Sequence, residues 1–336
     1  MKRVLISAVE ASGDLLGAEL VVAMAARARF LATGLGGPRM EAAGLVRLAG
    51  TVFDPVMGGW EVVRHLATIS RNTAALTAAI AERPDVLVTI DAPDFHLPLA
   101  REAKRKGVKV VQYVSPQLWA WRRTRAEGIA RSLDRLLCLF PFEPAIYAPY
   151  GLDARWVGHP VVDRVSPSAR EPGVVAIFPG SRRAEVARHL APFLAAVEGM
   201  GEVLVAEGAP LPPLPSWARA VPSAEALARA DRALTKSGTV TLELALAGIP
   251  TVVAHRVAWL TYFLGRALVR GVRHLALPNI LLEREAIREY VQRFTPDQLR
   301  RSLKSAEPPP TQELRALLGP RGASTRAAEA VLDFLA

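Results

Sequence analysis

The sequence predicts an α/β protein built from two open sheets of parallel strands, one in each of two domains. Three observations carry this. Residues 86–90, 109–114 and 135–139 are continuous apolar runs, separated by helix-like stretches, as strands buried on both faces of a parallel sheet require. A strand, turn and helix pattern starts again at Val174, after a segment (158–172) rich in Pro, Ser and Arg. A chain of 336 residues is also long for one core and natural for two. The expected boundary falls between residues 163 and 164, giving domains 1–163 and 164–336, with the last helix able to pack back on the first domain.

In chain order, residues 3–8 read as a first strand. Glu10-Ala11-Ser12-Gly13-Asp14 reads as the loop after it, 15–28 as an amphipathic helix and 30–34 as a second strand. Gly36-Gly37-Pro38-Arg39-Met40 turns into a short helix, and a longer helix covers about 60–81 before Arg83-Pro84 ends it. Helices near 96–106 and 122–132 connect the three buried strands. In the second half, strand 174–177 leads through Phe178-Pro179-Gly180-Ser181-Arg182-Arg183 into a helix reaching about 199. Strand 202–206 precedes a loop with four closely spaced prolines, a stiff extended segment. The stretch 236–250 opens on Lys236-Ser237-Gly238-Thr239, continues as a helix, closes at Gly248 and Pro250, and returns as strand 252–254. A helix at 260–269 and two or three more finish the chain.

Ligands on open α/β sheets sit at the carboxyl ends of the strands. Asp91, Asp94 and His96 fall just past one strand end, and Tyr113, Ser115 and Gln117 at or past the next. Helix capping is the alternative use of Ser12, Asp91 and Asp94. The turns at 179–183 and 236–239 each open a helix, where unpaired amides and the positive end of the dipole suit an anion. Two such turns suggest a ligand with two phosphates, and Glu243 is placed to reach a neighbouring ribose.

The net charge of +10 suits phosphates or an anionic membrane surface. No nucleic-acid-binding motif appears. A single cysteine, Cys138, excludes an internal disulfide and fits a reducing compartment. No apolar run approaches the length of a membrane span. Val56-Met57-Gly58-Gly59-Trp60 leads into a helix carrying Val63, Leu66 and Ile69 beside Arg64 and Arg71. An apolar stripe with basic flanks suits an interfacial segment; a stripe facing the domain core is the other reading.

An ordered set of motifs runs nearly end to end: E-A-S-G-D at 10–14, G-G-P-R-M at 36–40, V-M-G at 56–58, I-D-A-P-D-F at 90–95, Y-V-S-P-x-x-W-A-W at 113–121 and F-P-F-E at 140–143. G-H-P-x-x-D at 158–163, P-G-S-R at 179–182, S-G-T-x-T-L-E at 237–243 and L-P-N at 277–279 follow. In these the chain resembles lipid-A-disaccharide synthase, a glycosyltransferase family of the GT-B type. The resemblance implies two Rossmann-like domains with the active site in the cleft between them. It implies an inverting transfer from UDP-2,3-diacylglucosamine to 2,3-diacylglucosamine 1-phosphate, on the cytoplasmic face of the inner membrane, with a homodimer left open. It makes Asp91 the base and places Glu10, Ser12, Gly13, Asp14, Asp94, His96 and Ser115 on the acceptor side. Arg182 would act on the departing diphosphate, with Gly180, Ser181, Lys236, Ser237, Gly238, Thr239, Glu243 and Asn279 around the nucleotide. Met57, Trp60 and Val63 would face the membrane. No Asp-x-Asp pair is present, so arginine and helix ends are expected in place of a metal, and no cofactor is expected. The chain departs from the family's usual residues at His96, Lys236, His255 and Ala258-Trp259. A related enzyme acting on another UDP-sugar and lipid acceptor, an epimerase, or a non-catalytic UDP-lipid binder are the rival readings.

Overall fold

A computed structural model describes residues 1–53, 62–118, 125–167, 169–258 and 273–336, with the side chains of 62–65 outside that description. The chain divides into two compact units, Met1–Pro160 with Leu318–Ala336, and Val161–Leu317.

The first unit holds β1 (Lys2–Ala8), β2 (Phe30–Leu35), β3 (Val46–Arg47), β4 (Val86–Ile90), β5 (Lys109–Tyr113), β6 (Arg135–Cys138) and β7 (Asp153–Trp156). They form one seven-stranded sheet in the order β3-β2-β1-β4-β5-β6-β7, and every pair is parallel. Residues of β1 and β4 such as Val4, Ile6, Val86 and Val88 are wholly buried, which is why these strands read as mostly apolar runs. Helices α1 (Ala11–Ala25), α2 (Pro38–Ala42), α3 (Val62–Ala81), α4 (Pro93–Arg105), α5 (Ala126–Ala130) and α6 (Glu143–Tyr147) connect them. Strand order reverses between β1 and β4, whose last residues, Ala8 and Ile90, lie side by side. That is the crevice where doubly wound sheets take ligands.

The second unit, after α7 (Val161–Arg164), repeats the design. It holds β8 (Val174–Phe178), β9 (Glu202–Glu207), β10 (Ala218–Pro222), β11 (Arg232–Thr235), β12 (Thr251–His255) and β13 (Arg288–Val291), in the order β10-β9-β8-β11-β12-β13. Here the reversal falls between β8 and β11, where Phe178 is paired with Thr235. The turns after these strands, at 179–182 and 236–239, therefore sit next to each other. They lead into α8 (Arg183–Val197) and α10 (Val240–Leu246), while α9 (Ser223–Arg229) precedes β11. The unit continues with α11 (Leu277–Leu282), α12 (Pro296–Lys304) and α13 (Thr311–Leu318), and α14 (Ala323–Leu332) belongs to the first unit.

Several expectations need correction. Helix α1 starts at Ala11 and ends at Ala25, so Ser12, Gly13 and Asp14 occupy its first turn and not a loop. Gly13 permits this close approach, because a Cβ there would stand 3.2 Å from the Ala8 Cβ of β1. The supposed linker contains α7. Strands β3, β7, β10 and β13 add sheet edges that the sequence pattern did not show. Residues 54–61, 119–124, 168 and 259–272 lie outside the described residues, with Met57, Trp60, the W-A-W block and the helix expected at 260–269; the Val63 side chain does too.

Candidate active site

In the first unit the backbone leaves regular geometry just past β4. Asp91 and Ala92 take positive φ angles of 54° and 42°, and Val114 past β5 takes 78°. Consecutive left-handed residues without glycine, and a β-branched one, are costly and need surroundings that over-determine them. The surroundings here do so. The Asp91 amide donates to the Tyr113 carbonyl at 2.9 Å. The Asp91 carbonyl accepts from His96 Nδ1 at 2.8 Å and from Gln112 Nε2 at 3.1 Å.

A carbonyl can only accept, so Nδ1 of His96 carries the proton and Nε2 accepts from the Ser7 hydroxyl at 2.9 Å. His96 is fully buried, and burial holds its pKa down to about 4. It is a neutral spacer with both nitrogens occupied, fixing the base of the Asp91 turn. Gln112 is equally buried, and its Oε1 takes the Thr89 hydroxyl. The Asp91 carboxyl itself is only partly covered, and burial raises it above the ordinary carboxylate value against the pull of the Ala92 backbone.

The other acceptor-side candidates divide. Asp14 is buried, and its carboxylate accepts from the amides of Gly37, Arg39 and Met40 at 2.8, 3.1 and 3.0 Å. It caps the start of α2, and three backbone amides engage both of its oxygens. Asp94 is exposed and pairs with Arg125 at 2.8 Å, and its carboxylate is not the α4 cap. Ser12 is exposed and Glu10 partly so. The Ser115 hydroxyl is buried 3.2 Å from the Tyr147 hydroxyl. Beside them Glu143 accepts from the Leu139 and Phe140 amides at 3.0 Å each, and burial pushes its carboxyl up to about 7.

In the second unit, Gly180 takes φ +128°, and Arg182 is the N-cap of α8. The Ser181 amide is not open to a ligand: it donates to Glu185 Oε2 at 3.0 Å. Glu185 Oε1 meets Lys236 Nζ at 2.9 Å, so a carboxylate from α8 spans both turns. Beyond it, Ser237 Oγ donates to the Leu275 carbonyl at 2.9 Å. Thr239 is exposed, and Gly238 has Lys236 Nζ 3.4 Å from where a Cβ would stand. Glu243 is partly buried; burial raises its carboxyl, with Arg164 opposing. Asn279 does not line an opening. It is wholly buried, donating to the Ile287 carbonyl at 2.7 Å and accepting from the Ala286 and Ile287 amides at 2.9 and 2.8 Å. It closes the 283–287 loop onto α11.

Sequence reasoning passed over Ser7, Gln112, Glu143 and Glu185. F-P-F-E pointed at Glu143 without a role. Glu185 stands three residues after the Arg182 N-cap, where a glutamate reaches back to free amides, and that signal could have found it.

The lipid-A-disaccharide synthetase family model matches residues 4–204 and 219–306. Lipid-A-disaccharide synthase of Myxococcus xanthus is 37% identical, with 99% of this chain and 97% of that protein covered. The Xanthomonas campestris enzyme of that name is 39% identical, covering 99% and 86%. Among solved structures, the UDP complex of UGT89C1 from Arabidopsis thaliana aligns with a TM-score of 0.65 at 17% identity, covering 100% of both chains. The UDP-GlcNAc 2-epimerase of Methanocaldococcus jannaschii aligns with a TM-score of 0.60 at 10% identity, covering 99% and 100%. At these identities the solved structures speak for the GT-B fold, and the near-complete sequence match speaks for more: the chain belongs to the lipid-A-disaccharide synthase family.

Proposed function

We propose that the protein is the inverting glycosyltransferase of lipid A biosynthesis, joining UDP-2,3-diacylglucosamine to 2,3-diacylglucosamine 1-phosphate. The acceptor 6-hydroxyl oxygen bonds to the donor anomeric carbon from the β face as the α-face bond from that carbon to the β-phosphate oxygen breaks. UDP leaves with that electron pair, and the hydroxyl proton passes to Asp91. The observation that carries the reading is the mounting of Asp91. Its backbone is pinned by His96, Gln112 and Tyr113 at the switch point of the first sheet, while its carboxyl is held above the usual range. A base is most useful when its pKa approaches the working pH. His96 does not compete for this role, since both its nitrogens are used and it resists protonation.

The diphosphate belongs to the second unit in this reading. Its charge is met by Arg182, by Lys236 and by the 237–239 turn, each charge-assisted contact being worth about 1.5–3 kcal/mol. Glu243 takes the ribose. Among the described residues no helix is long and apolar enough to cross a membrane. The acylated substrates are met in this reading at the bilayer surface, on the apolar and basic pattern of the sequence leading into α3.

The test is a product assay by mass spectrometry with both acylated substrates. Asp91→Asn keeps the shape of the side chain and cannot take the proton. It is expected to lower kcat by about 10²–10⁴ with UDP affinity unchanged, while Asp94→Asn changes kcat less than fivefold by rough expectation. The acid limb of the wild-type kcat profile should lie above the ordinary carboxylate range. Hydrolysis or epimerisation of UDP-sugar without acceptor, in place of disaccharide, would overturn the reading.

A further inference from the structure

Glu185 spans the two turns of the second unit that flank the strand-order reversal. Its Oε2 accepts from the Ser181 amide at 3.0 Å and its Oε1 from the Lys236 ammonium at 2.9 Å. Both side chains are 16% exposed, so the pair is partly shielded from water. We infer that Glu185 is a positioning residue for the nucleotide diphosphate, acting through Lys236: it holds the lysine ammonium beside the two turns with its remaining N–H groups facing the ligand. The inference rests on the donor reading above.

Three features support it. Lys236 stands among cations, with Arg182 and Arg188 close enough to act on the same cluster. His189 and His255 beside it are kept from adding charge, both having lowered pKa values. A lysine has a flexible four-carbon stem and a strongly hydrated head, and the Glu185 carboxylate is the anion that holds this one among its cationic neighbours. An ammonium has three N–H groups, and Glu185 consumes one. The backbone is shaped for the carboxylate as well: a Cβ on residue 180 would lie 2.5 Å from Glu185 Oε2, so only glycine admits it. One turn further on, His189 Nδ1 donates to the Glu185 carbonyl at 2.7 Å, and its Nε2 accepts from the Arg256 amide at 2.8 Å. The start of α8 is thereby tied to the end of β12 as well as to the 236 turn. Because the Ser181 amide is already taken, the phosphates depend on the retained cations more than on that amide.

A double-mutant cycle on the full chain tests this, with UDP affinity read by calorimetry. Glu185→Ala is expected to weaken UDP roughly tenfold, Lys236→Ala by a similar factor, and the double variant no more than about twofold beyond Lys236→Ala alone. Glu185→Gln, which keeps an oxygen for Ser181 and loses the charge opposite Lys236, should fall between wild type and Glu185→Ala, with little change in melting temperature. With UDP-sugar the effect should appear in KM and not in kcat. Unchanged affinity in Glu185→Ala would reduce the residue to a helix cap. Tighter binding would mean that the carboxylate competes with phosphate. Effects that multiply in the double variant would mean that Glu185 does not act through Lys236. Each of these overturns the inference. Wild-type protein that fails to bind UDP is a separate result, which overturns the donor reading and this inference with it.

Discussion

Glu143 shows how one buried carboxyl in the first unit sets a pH dependence. It is 2% exposed, and burial outweighs its two backbone hydrogen bonds, lifting the pKa from 4.5 to about 7. The folded state therefore binds a proton more tightly than the unfolded state does. Its contribution to stability is complete below pH 4.5 and is lost as pH rises through about 7. His96 works the other way. Its pKa falls from 6.5 to about 4, so its contribution is complete above pH 6.5 and is lost as pH falls through about 4. The two slopes oppose each other in a wild-type unfolding series, and only a variant separates them. Glu143→Gln keeps an acceptor for the Leu139 and Phe140 amides and cannot ionise. Denaturant unfolding from pH 4.5 to 8 should show the variant gaining on wild type by on the order of 3 kcal/mol as pH rises. Equal pH slopes in the two proteins would show that Glu143 is not protonated in the folded state.

At the scale of elements, what could be read in advance follows burial. The central strands β1, β4, β5 and β6 are mostly apolar because both their faces are covered, and the buried polar residues among them, Ser7, Thr89, Gln112 and Arg135, have hydrogen-bond partners. The edges β3 and β7 are short and largely exposed, with burial confined to their neighbours, so nothing in their composition separates them from loops. The site divides along the same line. Asp91 was legible because an acid at the end of an apolar run stands out. Ser7, 89 residues before His96, and Glu185, 51 residues before Lys236, acquire their roles only through strand order. Helix α3 tests the remaining element. Its Leu76 and Ile80 are wholly buried, whereas Leu66, near its start, is 56% exposed. Among the described side chains of α3, full burial of apolar residues is confined to the later turns. Leu66→Glu should lower co-sedimentation with anionic liposomes severalfold while leaving the melting temperature within a few degrees. A fully retained pellet fraction would place the docking surface elsewhere.

For the molecule as a whole, the last nineteen residues are the unusual feature, since the chain leaves the second unit and completes the first. Helix α14 buries Ala327, Ala328 and Val331 completely, and Ser324 bonds to Glu19 of α1 at 3.2 Å. Arg135 of β6 is clasped between the neighbouring strand β7 and the C-terminal tail. Its Nε meets Asp153 at 2.7 Å and its Nη1 meets Asp333 at 2.9 Å, with a further bond to the Ala330 carbonyl. The Phe334 ring lies 4.5 Å from its guanidinium carbon. Arg135 is 6% exposed with the tail in place, and removing the tail takes away one of its two carboxylates, the Ala330 carbonyl and the covering Phe334 ring together. Loss of the apolar helix face adds to that, at roughly 1.5–3 kcal/mol for each large side chain uncovered. A chain ending at Leu318 should therefore lose the first unit's stability and keep the second's. Glycosyl transfer should vanish, while UDP still binds and still raises the melting temperature of the remaining transition. Asp333→Ala, a milder change, should shift only the transition that UDP does not stabilise. Loss of UDP binding together with transfer in the shortened chain would mean that the tail supports both units and that the division into two folding units is wrong.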